Sequence, residues 1–484
     1  MIKEYKNFIN GNWVKSDSGK VFTDINPANS DDVIGKFQKS EKKDVIQAIE
    51  SAKNAFPSYR AIPAPQRGKI LLKAARIMES QAKDLSILLT REEGKPVHES
   101  EGEVKRAIQI FQFFGSEGWR LNGETIPSEN PGMDLLTYRE PLGVVALITP
   151  WNFPVCIPCW KMAPALVSGN TVVFKPASKT PLTGIRIAEI LEEAGLPKGA
   201  LNLVTGSGDV FGDEITANAA IKAISFTGSN KVGSELYQKA AGRMQKMQLE
   251  MGGKNPLIVL EDADIDKAVD YAIQGAFGGT GQKCTATSRV IVVDSICAKF
   301  TEKLVKETRK IKVGDGLDPA NDMGPLVDQA QMNTVLKYIE AGKQDGAKLL
   351  FGGNMLAGPK YDRGYFIEPA VFSEVNPEMR IAREEIFGPV LALIKVGSVA
   401  EAVKTANDTA YGLSASVCAK DLTSVFKCIH EIEAGIIHVN STTTGAEGQV
   451  PFGGMKKSSS GSREMGKAAI DFYTQLKTVY LNYN

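Results

Sequence analysis

Histidine is scarce in this chain: His98, His430 and His438 are the only three among 484 residues. A cysteine hydrolase usually pairs its thiol with an imidazole. Here His438 lies in an apolar strand pattern, His98 in a charged helical stretch, and His430 reads as a helix-surface residue. That weakens a papain-like reading. An excess of one charge is also missing. Lys and Arg number 57 against 56 Asp and Glu, for a formal net charge of +1 without a run of either sign. Such a balance argues against a dedicated nucleic-acid or membrane surface. No window approaches about 18 uninterrupted apolar residues, and the opening MIKEYKNFINGNW has no apolar signal core, so a cytoplasmic protein is expected. The six cysteines (156, 159, 284, 297, 418 and 428) are scattered and do not suggest a disulfide framework. The pair in 156-CIPC-159 has no second C-x-x-C to complete a zinc site, so no metal is expected and the two thiols read as small apolar side chains.

What is present is a large apolar fraction, 43%, in a chain long enough for two or three domains. From about residue 143 short β-rich runs alternate with helical stretches. The runs 143-GVVALITP-150, 171-TVVFKP-176, 201-LNLVTG-206 and 221-IKAISFTG-228 are nearly continuous in apolar residues, and 181-PLTGIRIAEILEEAG-195 between them is helical. That pattern predicts a parallel sheet covered on both faces. A second series follows in 289-RVIVVDS-295, 390-VLALIKV-396, 413-LSASVCA-419 and 435-GIIHVN-440. Two α/β domains are expected, divided between about Glu250 and Ala263. The region before residue 120 reads as mostly helical, as in the stretch 64–94. The tail 472-FYTQLKTVYLNYN-484 reads as a strand seeking an edge in another subunit, with 122–140 as a projecting hairpin, so a homo-oligomer is expected.

Two glycine loops compete as a dinucleotide cradle, 204-VTGSGDVFG-212 and 226-FTGSNKVG-233. Each follows a strand and opens a helix, and spacing alone does not choose between them. Lys175 ends a strand where ligands dock above a parallel sheet. The stretch 278-GGTGQKCTATSR-289 sets Cys284 in a glycine-rich loop, where an unperturbed thiol would be mostly protonated at neutral pH. It needs a base and an oxyanion donor. Glu250, before the Gly-Gly turn of 248-QLEMGGKNP-256, is a candidate base. Asn152, stiffened between two prolines in 149-TPWNFP-154, is a candidate donor.

In their order, 150-PWNFP-154, 175-KPAS-178, 226-FTGS-229, 249-LEMGGKNP-256, 281-GQKC-284 and 384-EEIFGPV-390 resemble the aldehyde dehydrogenase superfamily. The likeness runs from 8-FINGNW-13 to 451-PFGGMKKSSSGSRE-464. It implies an α/β fold with a Rossmann-type cofactor domain (1–121 and 141–251), a catalytic α/β domain (252–450) and a small β oligomerisation element (122–140 and 465–484), in a homodimer or homotetramer. It implies Cys284 as the nucleophile, Asn152 as oxyanion donor and Glu250 as activator of the hydrolytic water. For NAD or NADP it implies Thr149, Pro150, Trp151, Asn152, Lys175, Pro176, Ala177, Ser178, Lys179, Gly228, Ser229, Met251, Glu385 and Phe387. It selects Gly228 and Ser229 over the other glycine loop. Many NAD-preferring relatives carry Glu at the position of Ser178. Its absence, with Lys179 beside it, leads to the expectation that NADP is accepted and preferred. The segments 280–289 and 461–480 are similar to a subgroup that oxidises 2-oxoglutarate semialdehyde. Related enzymes act on glyceraldehyde, succinate semialdehyde or glutarate semialdehyde. Phe153, Ile157, Trp160, Lys283, Thr285 and the loop 441–450 are the candidate substrate residues. A CoA-acylating dehydrogenase, a cysteine hydrolase and a non-enzymatic role are the competing readings; Glu250 counts against the first, and the set of Asn152, Glu250 and Cys284 against the last.

Overall fold

The computed structural model describes residues 2–484. The runs rich in Val, Ile and Leu become the strands of two seven-stranded sheets. In the first the order is Lys246–Glu250, Ile221–Thr227, Val144–Ile148, Thr171–Lys175 and Leu201–Leu203, all parallel, then Asn7–Ile9 and Asn12–Val14 as an antiparallel pair. In the second it is Lys348–Phe351, Ala370–Ser373, Val390–Val396, Thr287–Val293, Asn255–Val259, Ser414–Cys418 and Ile436–Val439, parallel except at the first edge. Successive side chains leave a strand on opposite faces, and both faces are buried. Val145 and Leu147 join one core while Val144 and Ala146 join another. In the second sheet Ile258 and Ile291 pack on one face, Leu257 and Val290 on the other. This is the expected α/β class, with continuous apolar strands because neither face meets water.

The first 38 residues depart from the helical expectation: they hold four strands, including the hairpin Val21–Asn26 with Asn29–Gln38. The signal was present in Asn10-Gly11, which sit at φ +52° and +69° and turn Asn7–Ile9 back onto Asn12–Val14. An Asn-Gly turn of that kind matches strand twist. The long helical stretch 64–94 is two helices, Ala64–Ser80 and Ala82–Glu93, parted at Gln81 and ended by left-handed Gly94.

Three helices frame the site. Helix α1 (Val97–Glu117) starts behind Pro96. Helix α2 (Cys156–Val167) is buried along its whole length. Helix α3 (Asn230–Ala241) follows the strand Ile221–Thr227 and is capped by Ser229, whose hydroxyl accepts from the Val232 N–H. The tail strand Thr474–Asn482 pairs along nine residues with Met133–Pro141 of the same chain. Its partner is thus intramolecular, and its other edge is open, with Leu476 62% and Tyr480 68% exposed. Among the described residues no helix is long and apolar enough to cross a membrane, and no cluster of His, Cys, Asp and Glu is arranged to hold a metal.

Candidate active site

The loop before Cys284 has an unusual backbone. Gly279, Thr280 and Gly281 have φ of +57°, +58° and +67° in succession. At Gly281 a Cβ would collide with the Gly388 carbonyl, so only glycine fits there. Thr280 bears the strain of a β-branched residue in this region, anchored by its hydroxyl, which donates to the Gly324 carbonyl at 3.0 Å.

This turn leaves Cys284 in the wall between two cavities. One, about 340 Å³, is bounded by helix α1, Phe153, Trp160, Thr285 and Phe452. The other, about 230 Å³, is bounded by Pro150, Trp151, Asn152, Gly228, Ser229, Glu250, Met251, Glu385 and Phe387. Residues from the ends of three strands of the first sheet and from the second sheet's side therefore meet at one sulfur. Burial, with the Glu385 and Glu250 carboxyls, pushes the Cys284 thiol up to about 12. At neutral pH the side chain is therefore a thiol rather than a thiolate.

Asn152 is buried, and its side-chain N–H₂ donates to the Gln282 carbonyl at 3.0 Å, two residues before the sulfur. The amide carries a second hydrogen, and that contact holds it beside Cys284. Glu250 ends its strand with a buried carboxyl. One oxygen accepts from the Ser459 hydroxyl at 2.6 Å and the other has no partner. Burial, and then Glu464, raise it well above the ordinary carboxylate range. A buried acid whose charged form is disfavoured in this way, beside a thiol in a cavity, is a candidate for proton transfer.

The cofactor-side residues divide. Trp151 meets Phe387 edge-on, ring centres 5.3 Å apart. Phe387 stands at φ +58°, and Gln331 holds that turn by donating to the Ile386 and Phe387 carbonyls. Burial raises Glu385 to about 7, against the Gly253 N–H that it accepts at 3.1 Å and the nearby Lys254 charge. Thr149, Lys175, Pro176, Ala177, Ser178 and Lys179 stand outside the wall of the 230 Å³ cavity, at and beyond the ends of two neighbouring strands. Burial lowers Lys175 to about 8, and its amine donates to the Pro176 carbonyl. Ser178 donates to the Gly206 carbonyl at 2.8 Å, and Lys179 pairs with Asp328 at 2.7 Å. On the substrate side, Phe153, Trp160, Lys283 and Thr285 line the larger cavity, but Ile157 is buried in the core and does not. Lys283 is committed to Glu99 at 2.8 Å.

A model of the aldehyde dehydrogenase family matches residues 13–479. The chain belongs to this family of NAD(P)-dependent enzymes. It is 50% identical over 477 residues to an alpha-ketoglutaric semialdehyde dehydrogenase of Bacillus subtilis, covering 99% of this chain and 98% of that one. It is 46% identical over 471 residues to a 2,5-dioxopentanoate dehydrogenase of Saccharolobus solfataricus, covering 97% of each. The crystal structure of an NAD-dependent aldehyde dehydrogenase from Sinorhizobium meliloti superposes with a TM-score of 0.96 at 35% identity, over 100% of this chain and 95% of that one.

Several residues of this aldehyde dehydrogenase's site were not singled out from sequence. Lys161 donates to Ser225 at 2.7 Å and to Glu464, deep beneath Glu250. Its signal was a lone charge within an apolar helix, a position that demands a buried partner. Lys95 and Glu103 form a buried pair at 2.7 Å, 3% and 1% exposed. Glu103 accepts from the Val155 and Cys156 N–H groups at the start of helix α2. Lys95 donates to the Asn152 carbonyl at 2.6 Å and lies over the Phe153 ring at 4.3 Å. No local pattern reports this pair, because its effect exists only once residues 95, 103 and 152 are folded together.

Proposed function

We propose that this enzyme oxidises 2-oxoglutarate semialdehyde (2,5-dioxopentanoate) to the dicarboxylic acid in the cytoplasm, as a homodimer or homotetramer, with NADP accepted and preferred. The observation that supports it is the single thiol shared by two cavities, in a chain half identical to a dehydrogenase named for that aldehyde. Succinate semialdehyde, glutarate semialdehyde and glyceraldehyde are the runner-up substrates.

The smaller cavity fits a nicotinamide cofactor on chemical grounds. It runs from the N–H groups at the start of helix α3, beside Gly228 and Ser229, past the Glu385 carboxyl and the Phe387 ring to Cys284. A helix start suits a pyrophosphate and a carboxylate suits ribose hydroxyls. A nicotinamide held there would supply the hydride acceptor for the substrate carbon. The chain supplies the rest. Cys284 gives up its proton to solvent water as its sulfur bonds to the aldehyde carbon and the carbonyl π pair moves onto oxygen, forming the thiohemiacetal as an oxyanion. The Asn152 amide and the Cys284 N–H donate to the new oxyanion, a contribution of about 10²–10³ in rate per donor. Loss of hydride leaves a thioester on Cys284. Glu250 takes a proton from water, the hydroxide adds to the thioester, and the carboxylic acid leaves as the thiol is restored. Burial and Glu464 disfavour the Glu250 carboxylate, and the Ser459 hydroxyl, Lys161 and Arg463 work in the opposite direction to support the charged form that the step uses. Glu250 also favours water over a thiol such as CoA as the acceptor.

Ser178 presents no carboxylate to repel a 2′-phosphate. Lys179 would reach it by exchanging Asp328 for the phosphate. The test is a panel of small aldehydes, each with NAD and with NADP. The reading expects the highest kcat/KM for 2-oxoglutarate semialdehyde with NADP. A neutral aldehyde turned over better overturns the substrate, and a kcat/KM about tenfold higher with NAD overturns the cofactor preference.

A further inference from the structure

The larger cavity has one wall made by a helical stripe. Glu99, Gly102, Glu103 and Arg106 recur at i, i+3, i+4 and i+7 on helix α1, so all four face the space in front of Cys284. Their charges are unequally matched. Glu99 is bound to Lys283 and accepts from the Gly279 N–H at 2.7 Å; although burial pushes its carboxyl up, Lys283 keeps it below the ordinary range. Glu103 is bound to Lys95 and to the start of helix α2. Arg106 has no hydrogen bond and no ion pair among the described residues, although it is only half-exposed.

A second group in the same cavity is also without a partner. Trp160 is 7% exposed, it lines the cavity, and its buried indole N–H has no acceptor. A buried donor left unmatched is costly and rare. Gly102 adds room: a Cβ there would meet nothing within 4 Å.

We infer that Arg106, with the Trp160 indole N–H, is the site that reads the distal carboxylate of the aldehyde while its carbonyl carbon meets Cys284. This rests on the proposed substrate and assigns the charge recognition within it. Lys283, the nearest cation in sequence, is already neutralised by Glu99. Arg106 supplies the unmatched positive charge, in a fork that fits a carboxylate's two oxygens. The indole supplies one further N–H. Hydrophobic walls from Phe153 and Phe452 enclose the carbon chain between.

The test is the ratio of kcat/KM for 2-oxoglutarate semialdehyde to that for pentanal, in wild type, R106M, R106K and W160F. R106M should lower the ratio about 100-fold, through KM more than kcat, because a charge-assisted pair is lost from binding. R106K should recover part of that loss, since it restores the charge without the fork. W160F should lower the ratio about tenfold, the worth of one hydrogen bond to a charged group. Pentanal turnover shows that each variant is folded. If wild type prefers the carboxylated aldehyde and R106M keeps that preference within about threefold, the inference fails while the proposed function stands. If R106M loses both substrates in step, Arg106 is structural and the inference also fails. If wild type shows no preference for the carboxylated aldehyde, the substrate reading fails and takes the inference with it.

Discussion

Replacing Glu103 by Gln should weaken the enzyme and its catalysis together, by separable amounts. The substitution keeps an oxygen for the Val155 and Cys156 N–H groups but strips the charge that answers Lys95. Burial drives the Lys95 ammonium down; Glu103 and then Glu93 outweigh it and hold the group above its ordinary value. A lysine held up in this way contributes stability that is fully present at neutral pH and fades only as pH rises past its unfolded value. Breaking a buried pair from one side costs about 3–5 kcal/mol. Glu93, 3.9 Å from the Lys95 amine, takes back part of that, leaving about 3 kcal/mol. Unfolding entropy of about 2 cal/mol/K per residue gives roughly 1 kcal/mol per kelvin for 484 residues, so the apparent Tm should fall by about 3 °C. Catalysis loses for another reason. Lys95 holds the Asn152 carbonyl, and a displaced oxyanion donor costs up to about 10²–10³ in kcat. The paired variant Lys95→Met with Glu103→Gln separates the two effects: it removes both charges of the pair while the amide oxygen still serves the Val155 and Cys156 N–H groups, so Tm should recover, while kcat stays low because Asn152 has lost its tether. Scanning fluorimetry and steady-state kinetics on the three proteins decide it. A Glu103→Gln enzyme with unchanged Tm and kcat would refute the reasoning, and so would a double variant that regains full kcat.

The Cys284 thiol, held up to about 12 by burial and two carboxyls, should react slowly with iodoacetamide in the free enzyme at pH 7.5. Glu385→Gln removes the carboxyl that acts on the thiol more strongly and should speed alkylation about three- to tenfold, measured by mass spectrometry. Glu385 ionises near 7, and its charged form suits ribose hydroxyls. Cofactor Kd should therefore tighten up to about tenfold from pH 6 to pH 8, and Glu385→Gln should flatten that slope in a fluorescence titration. Ser178→Glu should shift the NADP/NAD ratio of kcat/KM toward NAD by at least about tenfold; an unmoved ratio would place the 2′-position elsewhere.

Much of the fold was legible because its strands are buried on both faces: 144–148, 171–175 and 390–396 show no polar alternation to blur them. The N-terminal strands were not, since Asn7–Ile9 and Asn12–Val14 have three residues each and take their stability from an edge supplied by residue 203. At the site, the three residues proposed to carry the chemistry, Cys284, Glu250 and Asn152, stand beside glycine and proline in sequence and line one cavity in the fold. The residues that aim them did not stand out in sequence. Lys95, Glu103, Lys161 and Ser459 are ordinary in their local sequence and acquire meaning only through partners 57, 52, 303 and 209 positions away. Lys283 taught the converse. Adjacency to Cys284 suggested a substrate contact, yet Glu99, from helix α1 far upstream in sequence, takes its charge.

The bond from Ser459 to Glu250 also sets a timetable for biosynthesis. The two residues lie 209 positions apart, and at about 5–20 residues per second a ribosome needs roughly 10–40 s to travel between them. Throughout that interval the nascent chain carries Glu250, and for most of it Cys284 as well, but it lacks the segment that buries the carboxyl and closes the first sheet's outer strand. A domain that collapses early must wait with its reactive centre half built, which makes the growing polypeptide, rather than the finished enzyme, the form most in need of protection from oxidants and from misplaced pairing.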